Sequence, residues 1–174
     1  MPTIVNFKDK TAFIHIPKTS GTSYSIRYLT NDATYSHMPA FEIENINFEL
    51  TTIVRNPYTR FISAFLMMIR YNSISYENTT ESLDKAIDDN FIEKLNDVYS
   101  CFFKPMVFFT HTKDLKKNLV KNIIKFEDII KTDDYLSLKS ENNVHFELSN
   151  KAIAFINNLY KDDFREFNYE MKSI

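Results

Sequence analysis

Two groups of residues have the types and spacing to do chemistry on an anion. The first is Lys18-Thr19-Ser20-Gly21-Thr22-Ser23, small and hydroxylated residues around one lysine, which follows the apolar run Phe13-Ile14-His15-Ile16 and Pro17. The pattern predicts a strand, a loop and a helix start. Backbone N–H groups, the positive end of a helix dipole and an ammonium then converge on one place, which suits a phosphate-like group. An average chain of 174 residues would hold about twelve glycines, yet this one holds a single glycine, Gly21, inside that loop. A residue free to take φ > 0 lets backbone approach a ligand closely, or simply eases a strand-to-helix turn. A Ser/Thr-rich helix start is also an ordinary cap.

The second group is Arg55 with Ser63. Leu50-Thr51-Thr52-Ile53-Val54 reads as a strand, Arg55 follows it, and Asn56-Pro57 supply an N-cap and a first helical residue. A guanidinium at the strand end and a hydroxyl on the next helix can hold a phosphate between them. An arginine so placed can equally pair with a carboxylate. Transfer to a hydroxyl also needs a base titrating near neutrality, which favours histidine. Of the four histidines, His37 lies in the polar connection 31–40 and fits best; His15, on the strand entering the loop, is placed to touch the site but reads rather as a packed, hydrogen-bonded core residue, and His111 and His145 read as surface residues. No residue cluster has metal-ligand spacing.

These groups need elements to position them. Besides strands at 13–16 and 50–54, residues 122–126 read as a third, and a helix is predicted over 22–30. From Pro57, Phe61, Ala64, Phe65, Met68 and Ile69 repeat at helical spacing, and a helix or two begins at Ser82. Ser149 to Phe167 reads as one amphipathic helix capped by Ser149, and a short helix is expected from Pro39 or Ala40. The aromatic run 102–109 around Pro105 reads as a loop-to-strand segment. Repeated strand–loop–helix units predict a single α/β domain over 1–174, with helices on a mainly parallel central sheet and ligands beyond the carboxyl ends of its strands.

Composition narrows the function classes. With 44% hydrophobic and 25% charged residues the chain is globular, and its net charge of −2 argues against a broad nucleic-acid-binding surface. Anion binding has to be local. A lone cysteine, Cys101 beside Phe102 and Phe103, reads as a core thiol of a reducing compartment. With no signal-peptide pattern and no apolar run long enough to span a bilayer, the chain reads as soluble and cytoplasmic.

Taken together, Phe13 to Ser23 and Val54 to Phe65 resemble the sulfotransferases that use 3′-phosphoadenosine 5′-phosphosulfate (PAPS), in the branch of carbohydrate sulfotransferases and their bacterial relatives. In that family an Ile-Pro-Lys-Thr-Gly-Gly-Thr-Ser-like loop holds the 5′-phosphosulfate and an Arg-Asn-Pro-(x)₅-Ser segment the 3′-phosphate. The resemblance implies that Lys18, Thr19, Ser20, Gly21, Thr22, Ser23, Arg55 and Ser63 bind PAPS, and its product PAP, without a metal. Ser36-His37-Met38-Pro39-Ala40 is similar to the His-x-Pro-Ala segment that supplies the base in several members, which implies His37 as base and Lys18 as the cation on the transferred group. Ile124 to Ile129 is similar to the family's Arg-Phe-Glu-Asn-Leu segment, and Tyr160-x-x-Asp163-x-x-x-Phe167-x-Tyr169 to its closing pattern.

The chain departs from the family at three places. Ser20 replaces the first loop glycine, Lys125 stands where arginine is common, and a Leu-Pro-His-x-Asn segment before the last helix is missing. The implied activity is sulfuryl transfer from PAPS to a hydroxyl, on a saccharide. Alternatives are a catalytically silent PAP- or nucleotide-binding protein, and a nucleotide-dependent kinase; Lys18 preceding Gly21 departs from the nucleoside-triphosphate P-loop. Tyr58 and Tyr71 are candidates to stack on an adenine or a sugar, and oligomeric state stays open.

Overall fold

The computed structural model describes residues 2–20, 34–43, 47–131 and 146–174. They form strands β1 (Pro2–Asn6), β2 (Thr11–Ile14), β3 (Thr34–Ser36), β4 (Glu49–Val54) and β5 (Asn122–Lys125). The helices are α1 (Pro57–Arg70), α2 (Thr80–Asp88), α3 (Asp97–Ser100), α4 (Met106–Thr110), α5 (Phe126–Ile129), α6 (Asn150–Leu159) and α7 (Lys161–Glu166). The fold class is α/β. Two compact units are distinguished, Met1–Arg55 with Met106–Ser140, and Asn56–Pro105 with Glu141–Ile174.

The first unit carries all five strands in one sheet of order β3-β1-β2-β4-β5. Pairs β2–β4 and β4–β5 are parallel, but β1 is antiparallel to both β2 and β3. The mainly parallel sheet expected from sequence is therefore a mixed one. The cause is local: residues 7–10 make a tight turn from β1 into β2, pinned by Asp9 N–H donating to Asn6 Oδ1 at 2.9 Å, and strands joined by so short a turn must run antiparallel. In the parallel half, Ala12-Phe13-Ile14 and Thr52-Ile53-Val54 are buried without alternation, as strands covered on both faces are.

Residues 102–109 do not lead into a strand. Cys101–Phe103 is a 3₁₀ turn and Met106–Thr110 a helix, with Pro105 just ahead of it, where a proline's fixed φ favours a helix start. His111 is also not a surface residue: it is buried, its Nδ1 lies 2.8 Å from Thr110 Oγ1, and it bridges to Asn118.

The second unit is built around α1. Asn56 caps it, its Oδ1 accepting from Tyr58 N–H at 3.0 Å, and Pro57 is the first helical residue. Phe61, Ala64, Phe65 and Met68 are fully buried, as their spacing predicts. Phe61, Phe65, Phe91 and Phe103 meet edge to face, with Phe91 and Phe103 centroids 5.2 Å apart at 90°. Ile153, Ile156, Tyr160 and Phe164 complete this core. The last predicted helix is two helices, α6 and α7, because Tyr160 leaves helical angles (φ −114°, ψ 24°) to bury its ring and donate to Phe103 O at 3.1 Å. Among the described residues no helix is long and apolar enough to cross a membrane.

Candidate functional site

In the register of the first unit, Ile14 lies beside Thr52 and Val54 beside Lys125. The carboxyl ends of β2, β4 and β5 are thus neighbours, and the segments beginning at His15, Arg55 and Phe126 leave the sheet side by side. This is the edge at which open α/β sheets take ligands. The sequence pattern places its first loop, its arginine and the Phe-Glu-Asp segment there.

The segment leaving β2 is held carbonyl by carbonyl. Thr52 Oγ1 donates to Ile14 O at 2.7 Å, His37 Nδ1 lies 3.2 Å from His15 O, Thr19 Oγ1 donates to Ile16 O at 2.9 Å, and Arg55 Nη1 donates to Lys18 O at 3.2 Å. Thr19 and Thr52 are wholly buried, so their hydroxyls serve the chain itself.

Within this segment Lys18 (φ 67°) and Ser20 (φ 66°) occupy the left-handed region. Each such non-glycine residue costs on the order of 1–2 kcal/mol, so the angles persist because the anchors above impose them. Ser20 takes a glycine-like angle itself. Both residues are half-buried. Gly21, Thr22 and Ser23, the helix predicted over 22–30, and His145 lie outside the described residues.

Arg55 joins the two sequence motifs. While Nη1 reaches the Lys18 carbonyl, the guanidinium carbon sits 4.6 Å from the centroid of Phe126, the first residue of α5. Stacking on an aromatic face fixes a guanidinium plane while its edge stays available for hydrogen bonding. Lys125 and Glu127 flank Phe126 and are half-buried.

His37 follows β3 with φ 38°, and its ring packs against that of His15, centroids 4.9 Å apart. A carbonyl oxygen only accepts, so the contact to His15 O puts the proton on Nδ1 and leaves the lone pair on Nε2. Burial pushes the His37 pKa below the usual imidazole value, against the opposing pull of the His15 carbonyl. Near neutral pH the ring is uncharged, with one nitrogen able to take a proton.

Ser63 lies on α1 in the second unit and is half-buried. There Tyr58 is buried against Phe164, its hydroxyl hydrogen-bonded to Asn157 and to Lys172 N–H; Tyr71 is exposed. Of the closing Tyr-Asp-Phe-Tyr pattern, Tyr160, Asp163 and Phe167 are buried and Tyr169 is half-buried. Arg60 is fully buried, donates to Lys104 O at 2.8 Å and Phe102 O at 3.4 Å, and lies over the Tyr160 ring. Burial pushes the Tyr160 hydroxyl pKa strongly upward. Among the described residues no group of three His, Cys, Asp or Glu side chains is placed to hold a metal ion.

Sequence reasoning missed Thr3 and Thr52, the buried hydroxyls that brace this edge. The available signal was a threonine at an inward position of an apolar strand, where an unbonded hydroxyl would be costly. No family model, curated protein or solved structure matches the chain.

Proposed function

We propose that this protein is a PAPS-dependent O-sulfotransferase acting on a saccharide hydroxyl, on a three-layer α/β framework with a P-loop-like phosphosulfate site. The observation that carries the reading is the Arg55–Lys18 carbonyl hydrogen bond, which unites the two motifs of the family resemblance at one sheet edge. The residues suit the group. Lys18, Arg55 and a left-handed backbone loop provide cationic and N–H donors for phosphate and sulfate oxygens.

PAPS would supply an activated sulfuryl group whose leaving group is the phosphate of PAP. Lys18 would neutralise charge shared by the sulfate and that phosphate, with loop N–H groups from Thr19 to Ser23 and the hydroxyls of Thr22 and Ser23 assisting. Arg55 and Ser63 would hold the 3′-phosphate. His37 would accept the acceptor's hydroxyl proton at Nε2, the nitrogen that its Nδ1 contact keeps unprotonated.

Calorimetry with PAP, against ATP plus Mg²⁺, tests the reading. PAP binding that Arg55→Ala weakens supports it, and a folded wild type that binds no PAP overturns it. Preference for ATP with Mg²⁺ would indicate the kinase alternative. PAP binding without transfer to a broad panel of hydroxyl acceptors would indicate a silent binding protein, the alternative motivated by the missing Leu-Pro-His-x-Asn segment.

A further inference from the structure

Thr3 lies on β1, between β3 and β2, and is wholly buried. Its Oγ1 donates to Met38 O at 2.9 Å and accepts from His15 N–H at 3.4 Å. One hydroxyl thereby ties the residue after His37 to the residue whose carbonyl His37 contacts. A threonine hydroxyl has one proton and two lone pairs, and here the proton serves Met38 while a lone pair serves His15.

The peptide between Ile14 and His15 is pinned at both ends: its oxygen by Thr52 and its N–H by Thr3. A planar trans peptide held in this way cannot swivel, so the chain enters His15 in a fixed orientation. His37 itself has a positive φ of 38°, which is uncommon in a residue other than glycine. Thr3 restrains that segment through Met38.

We infer that Thr3 is a positioning residue, whose hydroxyl holds the His37 ring against the His15 carbonyl and so keeps the lone pair on Nε2. Its importance to catalysis rests on the sulfotransferase reading; the tautomer assignment stands apart from it. The group facing His37 across the contact is the His15 ring, 4.9 Å away. Valine at position 3 fills the same space without either hydrogen bond, whereas serine keeps both.

The test is long-range proton–nitrogen NMR of the full chain carrying ¹⁵N-histidine, in mildly alkaline buffer, with His37→Gln used to identify the signal. The wild type should show His37 protonated at Nδ1. Thr3→Val should move Nδ1 toward the unprotonated position as the Nε2–H form gains population, and Thr3→Ser should restore the wild-type pattern. Should Thr3→Val not fold, Thr3→Ala removes the same hydroxyl and is read identically. A wild type protonated at Nε2, or a folded Thr3→Val or Thr3→Ala with an unchanged His37 pattern, overturns the inference. No donor or acceptor enters this measurement. A chain with the Thr3-dependent tautomer that binds no PAP keeps this inference and loses the sulfotransferase reading, and the opposite result does the reverse.

Discussion

Among other contacts, replacing Arg55 by alanine removes the hydrogen bond to Lys18 O at 3.2 Å, the stack on Phe126 at 4.6 Å, and a cation at the carboxyl edge of the sheet. The first two bear on the folded state. A net hydrogen bond contributes about 0.5–1.5 kcal/mol and a partly exposed cation–π contact about 0.5–1 kcal/mol. The stability loss should therefore be about 1–2.5 kcal/mol, which leaves the variant folded. The third bears on ligand. A hydrogen bond to a charged group is worth about 1.5–3 kcal/mol, so PAP should bind roughly 10- to 150-fold more weakly. Arg55→Lys keeps the charge without the planar fork and should fall between the two. Calorimetric titration of all three proteins with PAP, each first shown to melt cooperatively, reads this directly. Wild-type PAP affinity in a folded Arg55→Ala would refute the reasoning, because the residue joining the two motifs would then contribute nothing to binding.

Other consequences can be measured independently. His37 should titrate by imidazole proton NMR with a midpoint below 6.5, since burial disfavours its charged form. The unfolded chain then binds the proton more readily, so His37's contribution to stability is complete above 6.5 and declines as pH falls through the lower folded value; a midpoint above 6.5 would contradict this. Under the proposed function, His37→Ala should slow sulfuryl transfer about 10²–10⁴-fold while leaving PAP affinity near wild type, as rate and binding assays would show. Arg60→Met removes the hydrogen bonds that a fully buried guanidinium donates to Lys104 O and Phe102 O, and a hydrogen bond from a charged donor contributes about 1.5–3 kcal/mol. A large drop in urea midpoint, followed by tyrosine emission because the chain has no tryptophan, is expected. Asn56→Ala removes the cap of α1 and should cost about 1 kcal/mol, whereas Asn56→Asp should be nearly neutral in the same melt.

Where local chemistry and periodicity agree, the sequence was a good guide. Strands β2, β4 and β5 fall within a few residues of the apolar runs that announce them, and α1 begins at its Asn-Pro signal. The antiparallel side was not legible: Pro2–Asn6 is short and places Thr3 at a buried position, so no apolar alternation marks it. The break at Tyr160 was hidden because Ile156, Tyr160 and Phe164 keep helical spacing across it, while tertiary burial of one ring outweighs local helix continuity. In the site, Lys18, Arg55 and His37 could be nominated from residue type and resemblance. Their mutual placement could not, since it depends on strand order, and the bracing threonines are marked only by a hydroxyl at an inward strand position, which does not say what it bonds.

The bond from Arg55 to the Lys18 carbonyl has a second meaning. Oxygen and hydrogen of a trans peptide point to opposite sides of one rigid plane, so anchoring that oxygen also aims the amide hydrogen of Thr19. A guanidinium bound in this way acts as a rudder for the loop as well as a charge in it. Its substitution would redirect a donor belonging to another residue, and a double-mutant cycle between Arg55 and the loop would show coupling rather than two separable contributions.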